Sequence, residues 1–143
     1  MSLFDALSIG ASGMAAQRAR AELLVENLAN VETTRTPEGG PYRRKDAVFE
    51  SADMGSPFSS AFQLAQGATG VSVTDIVTDT RDPERRYLPG HPDADATGYV
   101  SFPRVDPAED MVDLMGASRS YEANVAAMGA VKDMITHSID LLR

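Results

Sequence analysis

Leu3, Leu7, Gly10, Met14, Gln17, Ala21, Leu24, Leu28 and Val31 follow one another in alternating steps of four and three. That spacing keeps one face of an α-helix turned to one side, the pattern of a heptad seam. Ser2 stands where an N-cap hydroxyl closes the first turn, and about thirty residues at about 1.5 Å each predict a rod of roughly 45 Å. Phe4, Ile9, Leu23 and Val25 flank the seam. The apolar face is therefore wider than one partner helix covers, which implies further helices from other subunits.

The other end repeats the design. Asp106-Pro107-Ala108-Glu109 is a helix start: Asp106 caps, Pro107 occupies a position whose N–H has no partner, and Glu109 can reach back. From there Met111, Leu114, Ser118, Tyr121, Val125, Met128, Lys132, Ile135, Ile139 and Leu142 carry the three-four spacing to the chain's end, with only Ser118 and Lys132 non-apolar. Two such helices are expected to bury their seams in an antiparallel hairpin. Gly10-Ala11-Ser12-Gly13 and Ala15-Ala16 allow close backbone approach, while each glycine weakens the isolated helix by roughly 1 kcal/mol relative to alanine. Both ends are therefore expected to depend on neighbours, and to be largely disordered until that surface is buried.

Between the helices the period changes. Val71-Ser72-Val73-Thr74-Asp75-Ile76-Val77-Thr78 is β-branched with partial alternation, and Gly98-Tyr99-Val100-Ser101-Phe102-Pro103 is a short strand ended by proline. Asp46 to Ser51 and Arg85 to Leu88 are further strand candidates. Met54 to Ser60, rich in Gly, Ser and Pro, reads as a mobile loop. The predicted class is α+β: residues 1–32 a coiled-coil helix, 33–45 a connector, 46–105 a small β-rich insertion, and 106–143 a second helix pairing antiparallel with the first.

Composition narrows the partners. The 143 residues are 43% apolar, with no Trp, 11 Gly and 8 Pro, a lean supply for a core. A net charge of −8 argues against nucleic acid, since phosphate affinity needs clustered Lys and Arg. The block Arg43-Arg44-Lys45 is a local exception, read as a solvated or partner-facing patch. Zero cysteine excludes disulfides, thiolate metal sites and a Cys nucleophile. The opening MSLFDALSIGASGMAAQ has no basic n-region and carries Asp5 early, so no secretory signal is expected. No stretch approaches the ~18 apolar residues of a membrane span, so no membrane insertion is expected.

Candidate chemistry is sparse. Gly39-Gly40 beside Arg43, Arg44 and Lys45 suggests a phosphate loop, but the glycines adjoin, Pro41 removes an N–H, and Lys45 is followed by Asp46 rather than Ser or Thr. Asp93, Asp95, Thr97 and Gly98 match the opening of a calcium loop, yet its twelfth position is Arg104, where a bidentate Glu is required. A polar turn using Asp and Gly for backbone geometry is the better reading. Only His91 and His137 exist, neither with a nucleophile and acid at a recognisable spacing. No enzyme, cofactor or small-molecule substrate is expected.

Ser12-Gly13-Met14, Asn27-Leu28-Ala29-Asn30-Val31 and the run from Thr33 to Lys45 resemble the N-terminal region of bacterial flagellar axial proteins. Gly90-His91-Pro92-Asp93-Ala94-Asp95 with Gly98-Tyr99-Val100, and Ser118-Arg119-Ser120-Tyr121-Glu122-Ala123-Asn124-Val125, are similar to that family's middle and C-terminal motifs. The connector and the His91–Asp95 turn look specifically like the proximal rod members. Glu32 departs from the small polar residue often found there.

The resemblance implies a structural subunit of the basal-body rod, exported through the flagellar type III apparatus without a cleavable signal and spanning the periplasm. It implies helical packing with further copies and other rod proteins, torque transmission from motor to hook, and no cofactor. The expected subunit-interface residues are Leu3, Leu7, Met14, Leu24 and Leu28 with Tyr121, Val125, Met128, Ile135 and Ile139. Arg35, Arg43, Arg44 and Lys45 are expected connector contacts. A cytoplasmic export or assembly adaptor that binds partner helices would show the same paired amphipathic ends.

Overall fold

The computed structural model describes residues 3–52 and 69–141, with side chains from Asp5 onward. The predicted Ser2 cap, the Leu3 side chain, Leu142 and the Met54–Ser60 loop lie outside the described residues. In order come α1 (Leu3–Ala29), β1 (Lys45–Ala52), β2 (Gly70–Thr78), β3 (Glu84–Tyr87), β4 (Tyr99–Phe102) and α2 (Pro107–Asp140). The class is α+β, as the change of hydrophobic period implied.

Each helix end has a local cause. The α2 start is the predicted one: Asp106 is extended at φ −97, ψ 107, and its carboxylate accepts from the N–H groups of Ala108 at 2.9 Å and Glu109 at 3.4 Å. The first helix stops earlier than its apolar seam, because Asn30 closes it. Asn30 Nδ2 donates to the Glu26 carbonyl at 2.9 Å, and Asn30 Oδ1 accepts the Thr33 hydroxyl at 3.1 Å. Such local side-chain bonds give the backbone an alternative to another helical turn.

The helices run antiparallel. A Cβ added at Gly10 would lie 3.0 Å from Met128 Cγ, one at Gly13 would lie 3.0 Å from Asn124 Nδ2, and Arg20 meets Asp113 at 3.1 Å. The small residues of α1 thus do what their size allowed, and Ala16 and Ala117 are both 3% exposed.

That close approach changes which face of α2 turns inward. The predicted stripe Leu114, Tyr121, Met128, Ile135 does lie on the α1 side, but its companions there are Ala117, Asn124 and Val131. Met111, Ser118, Val125, Lys132 and Ile139 are exposed, Val125 at 49% and Ile139 at 60%. As hairpin seam residues Val125 and Ile139 are therefore corrected: Gly13 of α1 meets Asn124 in place of Val125, and Ile139, 60% exposed, lies beyond the level at which Gly10 meets Met128.

The width of the α1 apolar face has an occupant within the chain itself. The strands β1 and β2 pair antiparallel, from Lys45 opposite Thr78 to Ala52 opposite Gly70, with a shift between Val48 and Phe49 that leaves Thr74 as the extra residue of a bulge. This ribbon lies along α1: Ala47 and Phe49 share a groove with Leu23 and Leu24, and the Val71 N–H donates to Ser12 Oγ at 3.1 Å. The chain's own ribbon thus covers part of the surface that sequence reasoning assigned to neighbours.

The strands β3 and β4 form a separate two-stranded ribbon, Glu84 opposite Phe102 through Tyr87 opposite Tyr99. Among the described residues the middle therefore holds two ribbons. Val100 and Phe102 from β4 join Leu24 and Tyr42 among the buried apolar residues. Two ribbons, two helices and the connector converge where α1 ends and α2 begins.

Candidate functional site

Asn27 is fully buried at that junction. Its side-chain amide imitates a strand partner: Nδ2 donates to the Lys45 carbonyl at 2.9 Å, and Oδ1 accepts the Lys45 N–H at 3.0 Å. The same oxygen accepts the Tyr42 hydroxyl at 2.9 Å. Burial first, and the Glu26 carboxylate second, push the Tyr42 phenol up to about 12, so it remains a donor throughout the physiological range. One helical residue thereby fixes where the connector ends and β1 starts.

The connector reaches that point by a tight reversal. Thr36 N–H donates to the Gly40 carbonyl at 2.8 Å and Gly39 N–H to the Thr36 carbonyl at 3.0 Å, while Gly39 and Gly40 take φ values of 91 and 80. Left-handed backbone of this kind is why glycine stands there. The pair makes a turn, not an anion cradle.

The basic block is distributed among different jobs. Lys45 Nζ pairs with Glu26 Oε1 at 2.6 Å. Arg43 Nη1 donates to the Asp79 carbonyl at 3.0 Å, beside the Asp79 N–H bond to the Arg44 carbonyl at 2.8 Å. Arg44, with its side chain only 15% exposed, crosses to α2 and places Nη2 2.9 Å from Asp110 Oδ1. Nη1 lies 3.9 Å from Glu109, which turns toward Arg44 in the first turn of the helix, and Nε lies 3.5 Å from Asp46.

Asp110 is fully buried, and neither carboxylate oxygen gains a well-aligned hydrogen bond despite the short approach of Arg44. Burial raises its pKa, Arg44 opposes the rise, and the negative charges of Asp46, Glu109 and Asp113 add to it. A buried carboxylate held mainly by one cation is strongly dependent on that cation.

Among the other predicted contacts, Arg35 extends into solvent with its side chain 80% exposed, 3.7 Å from Asp93. Asp93 also accepts the Thr34 hydroxyl at 2.8 Å, so the connector and the His91–Asp95 turn meet in space. Asp95 Oδ1 accepts the Thr97 hydroxyl at 2.6 Å and the N–H groups of Thr97 and Tyr99 at 2.8 and 3.0 Å, while Oδ2 takes Arg85 at 2.6 Å. The Thr97 hydroxyl foremost, with the Tyr99 N–H, holds this carboxylate down to about 2. The two aspartates thus shape the loop, each with different partners. His91 Nδ1 accepts the Asp93 N–H at 3.1 Å, and His137 Nδ1 lies 2.9 Å from the Asp133 carbonyl. Both histidines are engaged by backbone.

Of the residues expected at subunit interfaces, Leu24 is core at 3% exposure; Leu7, Met14, Leu28, Met128 and Ile135 are half-buried; and Tyr121, Val125 and Ile139 are exposed. Tyr121 and Leu114 line a groove of ≈ 510 Å³ with Gln17, Ala21 and Ala117, along one flank of the helix pair. With Met111 and Met115 each 54% exposed, α2 presents an apolar stripe away from α1. Asn27, Tyr42 and Asp110 carry the junction but were not singled out from sequence. The available signal was Asn27 falling three positions after Leu24, a polar residue on the stripe that the core needs.

Comparison with known proteins follows the whole chain. Residues 96–141 match the family model described as flagellar basal body rod FlgEFG protein C-terminal. The flagellar basal-body rod protein FlgC of Bacillus subtilis is 41% identical, covering 99% of each chain. Its namesake from Borreliella burgdorferi is 36% identical over 100% of this chain and 99% of that protein. The one from Aquifex aeolicus is 34% identical, over 98% of this chain and 97% of that one.

Proposed function

The chain belongs to the FlgC family of flagellar basal-body rod proteins, and we propose that it is a structural subunit of the proximal rod that assembles helically through its terminal helices. The observation that carries this reading is the outward apolar stripe of α2, with Met111, Met115, Val125 and Ile139 all at least 49% exposed on a chain with few buried apolar residues. A stripe along a helix is an interface shape, since a neighbouring helix covers it over its length. Further copies and other rod proteins are the partners, and packing of helices along the rod axis transmits torque toward the hook. The chain reaches the periplasm-spanning rod through the flagellar type III export apparatus and acts without catalysis, cofactor or nucleic acid.

Leu7, Met14, Leu28, Tyr121, Val125, Met128, Ile135 and Ile139 are the positions through which neighbours would be met, with Leu3 added from the sequence pattern alone. Arg35 and Arg43, exposed and only loosely tied to Asp93 and the Asp79 carbonyl of their own chain, are the connector cations that would meet carboxylates of an adjacent subunit. Arg44 and Lys45 answer carboxylates of their own chain, so their reversal tests the fold before it tests a contact.

A pair of substitutions separates interface from core. Val125→Asp is expected to leave the purified chain folded and to exclude it from hook–basal bodies. Leu24→Asp places a carboxylate at a 3%-exposed core position and is expected to unfold the chain itself. Normal motility with Val125→Asp would remove the interface assignment. Absence of the unaltered chain from purified hook–basal bodies would favour the cytoplasmic adaptor instead.

A further inference from the structure

The β1–β2 ribbon packs on α1, and among the described residues it makes no comparable packing with α2. Besides the packing of α1 on α2 and the Arg20–Asp113 pair, the ribbon side reaches the start of α2 through Arg44, immediately before β1, whose Nη2 lies 2.9 Å from Asp110 in the first turn of α2. Asn27 holds the adjoining Lys45 by both its backbone groups, so the base from which Arg44 projects is itself fixed. Arg44 is mostly buried and Asp110 wholly so, which makes the bridge short and dehydrated.

We propose that Arg44 and Asp110 are positioning residues: within the frame set by the α1–α2 packing, their pair fixes how the start of α2 sits against the β1–β2 ribbon, and so aims the outward face of α2 at neighbouring rod subunits. This rests on the rod reading above. A buried ion pair of this kind need not add stability, because desolvation of both charges opposes their attraction; what it supplies is a fixed geometry. Removing the cation alone leaves Asp110 buried among Asp46, Glu109 and Asp113 with no cation on the connector side. Removing both charges relieves that cost without rebuilding the bridge.

That difference separates aiming from mere folding. The full chain has no cysteine, so spin labels introduced at Ile76→Cys on β2 and Arg119→Cys on α2, both exposed positions, report their separation without background. The otherwise unaltered chain is expected to give one narrow distance distribution. Arg44→Met is expected to broaden it and to lower thermal stability, with the loss shrinking as pH falls and Asp110 takes up a proton. Arg44→Met/Asp110→Asn is expected to recover stability, to lose its pH dependence, and to keep the broad distribution. Expressed without labels, the double variant is expected to be exported yet missing from basal bodies. A narrow distribution in the stable double variant, or its normal incorporation, would overturn the proposal. If the unaltered chain itself were absent from basal bodies, the rod reading would fall and the assembly role with it, while the distance measurements would still report on the bridge.

Discussion

Replacing Asn27 by alanine removes three hydrogen bonds, to the Lys45 carbonyl, the Lys45 N–H and the Tyr42 hydroxyl. The fully buried site closes over the stranded partners. Each buried polar group left unpaired costs about 1–3 kcal/mol. Lys45 is only half-buried, so water recovers part of its loss, whereas the buried Tyr42 hydroxyl keeps only the neighbouring Glu26 carboxylate. The sum is about 3 kcal/mol, to be set against a total stability of about 5–15 kcal/mol for an ordinary domain. In thermal terms the midpoint falls by about 10 °C for a chain of this size.

Urea unfolding of the purified chain, followed by far-UV circular dichroism, reads the difference directly, with Tyr42→Phe as a control. Phenylalanine keeps the ring and removes one bond, so it is expected to cost about 1 kcal/mol. Asn27→Asp keeps the acceptor but loses the donor, and sets a buried negative charge against the Lys45 carbonyl; it is expected to be no better than alanine. An alanine variant within about 0.5 kcal/mol of the unaltered chain, the range of ordinary surface substitutions, would refute the claim that this amide organises the junction.

Gly98→Ala is expected to destabilise the chain by about 1–3 kcal/mol, because φ is +82 and the added Cβ would lie 2.8 Å from Tyr87 Cε2; an unchanged urea midpoint would count against it. Gly13→Val is expected to cost a similar amount by pushing Asn124 aside, whereas Gly10→Ala is nearly neutral because flexible Met128 yields and helix propensity improves by about 1 kcal/mol. Differential scanning calorimetry of the two variants should rank them in that order. Asp95 and Asp79 are each held down to about 2, by Thr97 and by Arg81 respectively, so their stabilisation is present above the ordinary carboxylate value and disappears as pH falls toward 2. NMR titration of the carboxylate carbons should show both midpoints well below 3.8, the value of a free aspartate; ordinary midpoints would remove this acid-sensitive contribution.

What was legible in the sequence were the features whose cause is local. The Asp106-Pro107 start of α2, the strands around Val71–Thr78 and Tyr99–Phe102, and the glycine reversal in the connector each follow from residue type at adjacent positions. Half of the α2 seam was misread, because Ser118, Val125 and Lys132 satisfy the three-four spacing between Leu114, Tyr121, Met128 and Ile135 as well as Ala117, Asn124 and Val131 do. The choice between them depends on the partner surface, and the glycines of α1 admit Asn124 where a larger face would have demanded Val125. The polar junction was illegible for a related reason. Asp110 reads as one more first-turn acid until Arg44, far away in sequence, arrives beside it.

The junction also explains how a lean chain holds a definite shape. The largest fully buried side chains are Val100, Asn27 and Asp110, two of them polar. Apolar burial is tolerant of small displacements, because its free energy follows area rather than direction. Hydrogen bonds are not tolerant, since a shift of under 1 Å breaks them. Directional contacts therefore concentrate where five segments converge, and the apolar surface that a compact protein would bury is left outside, along α2 from Met111 to Leu141. Joining the two ends of this arrangement predicts an asymmetry in substitution: polar changes at the junction disturb the subunit before assembly, while polar changes on the α2 stripe leave the subunit whole and remove only its ability to join others.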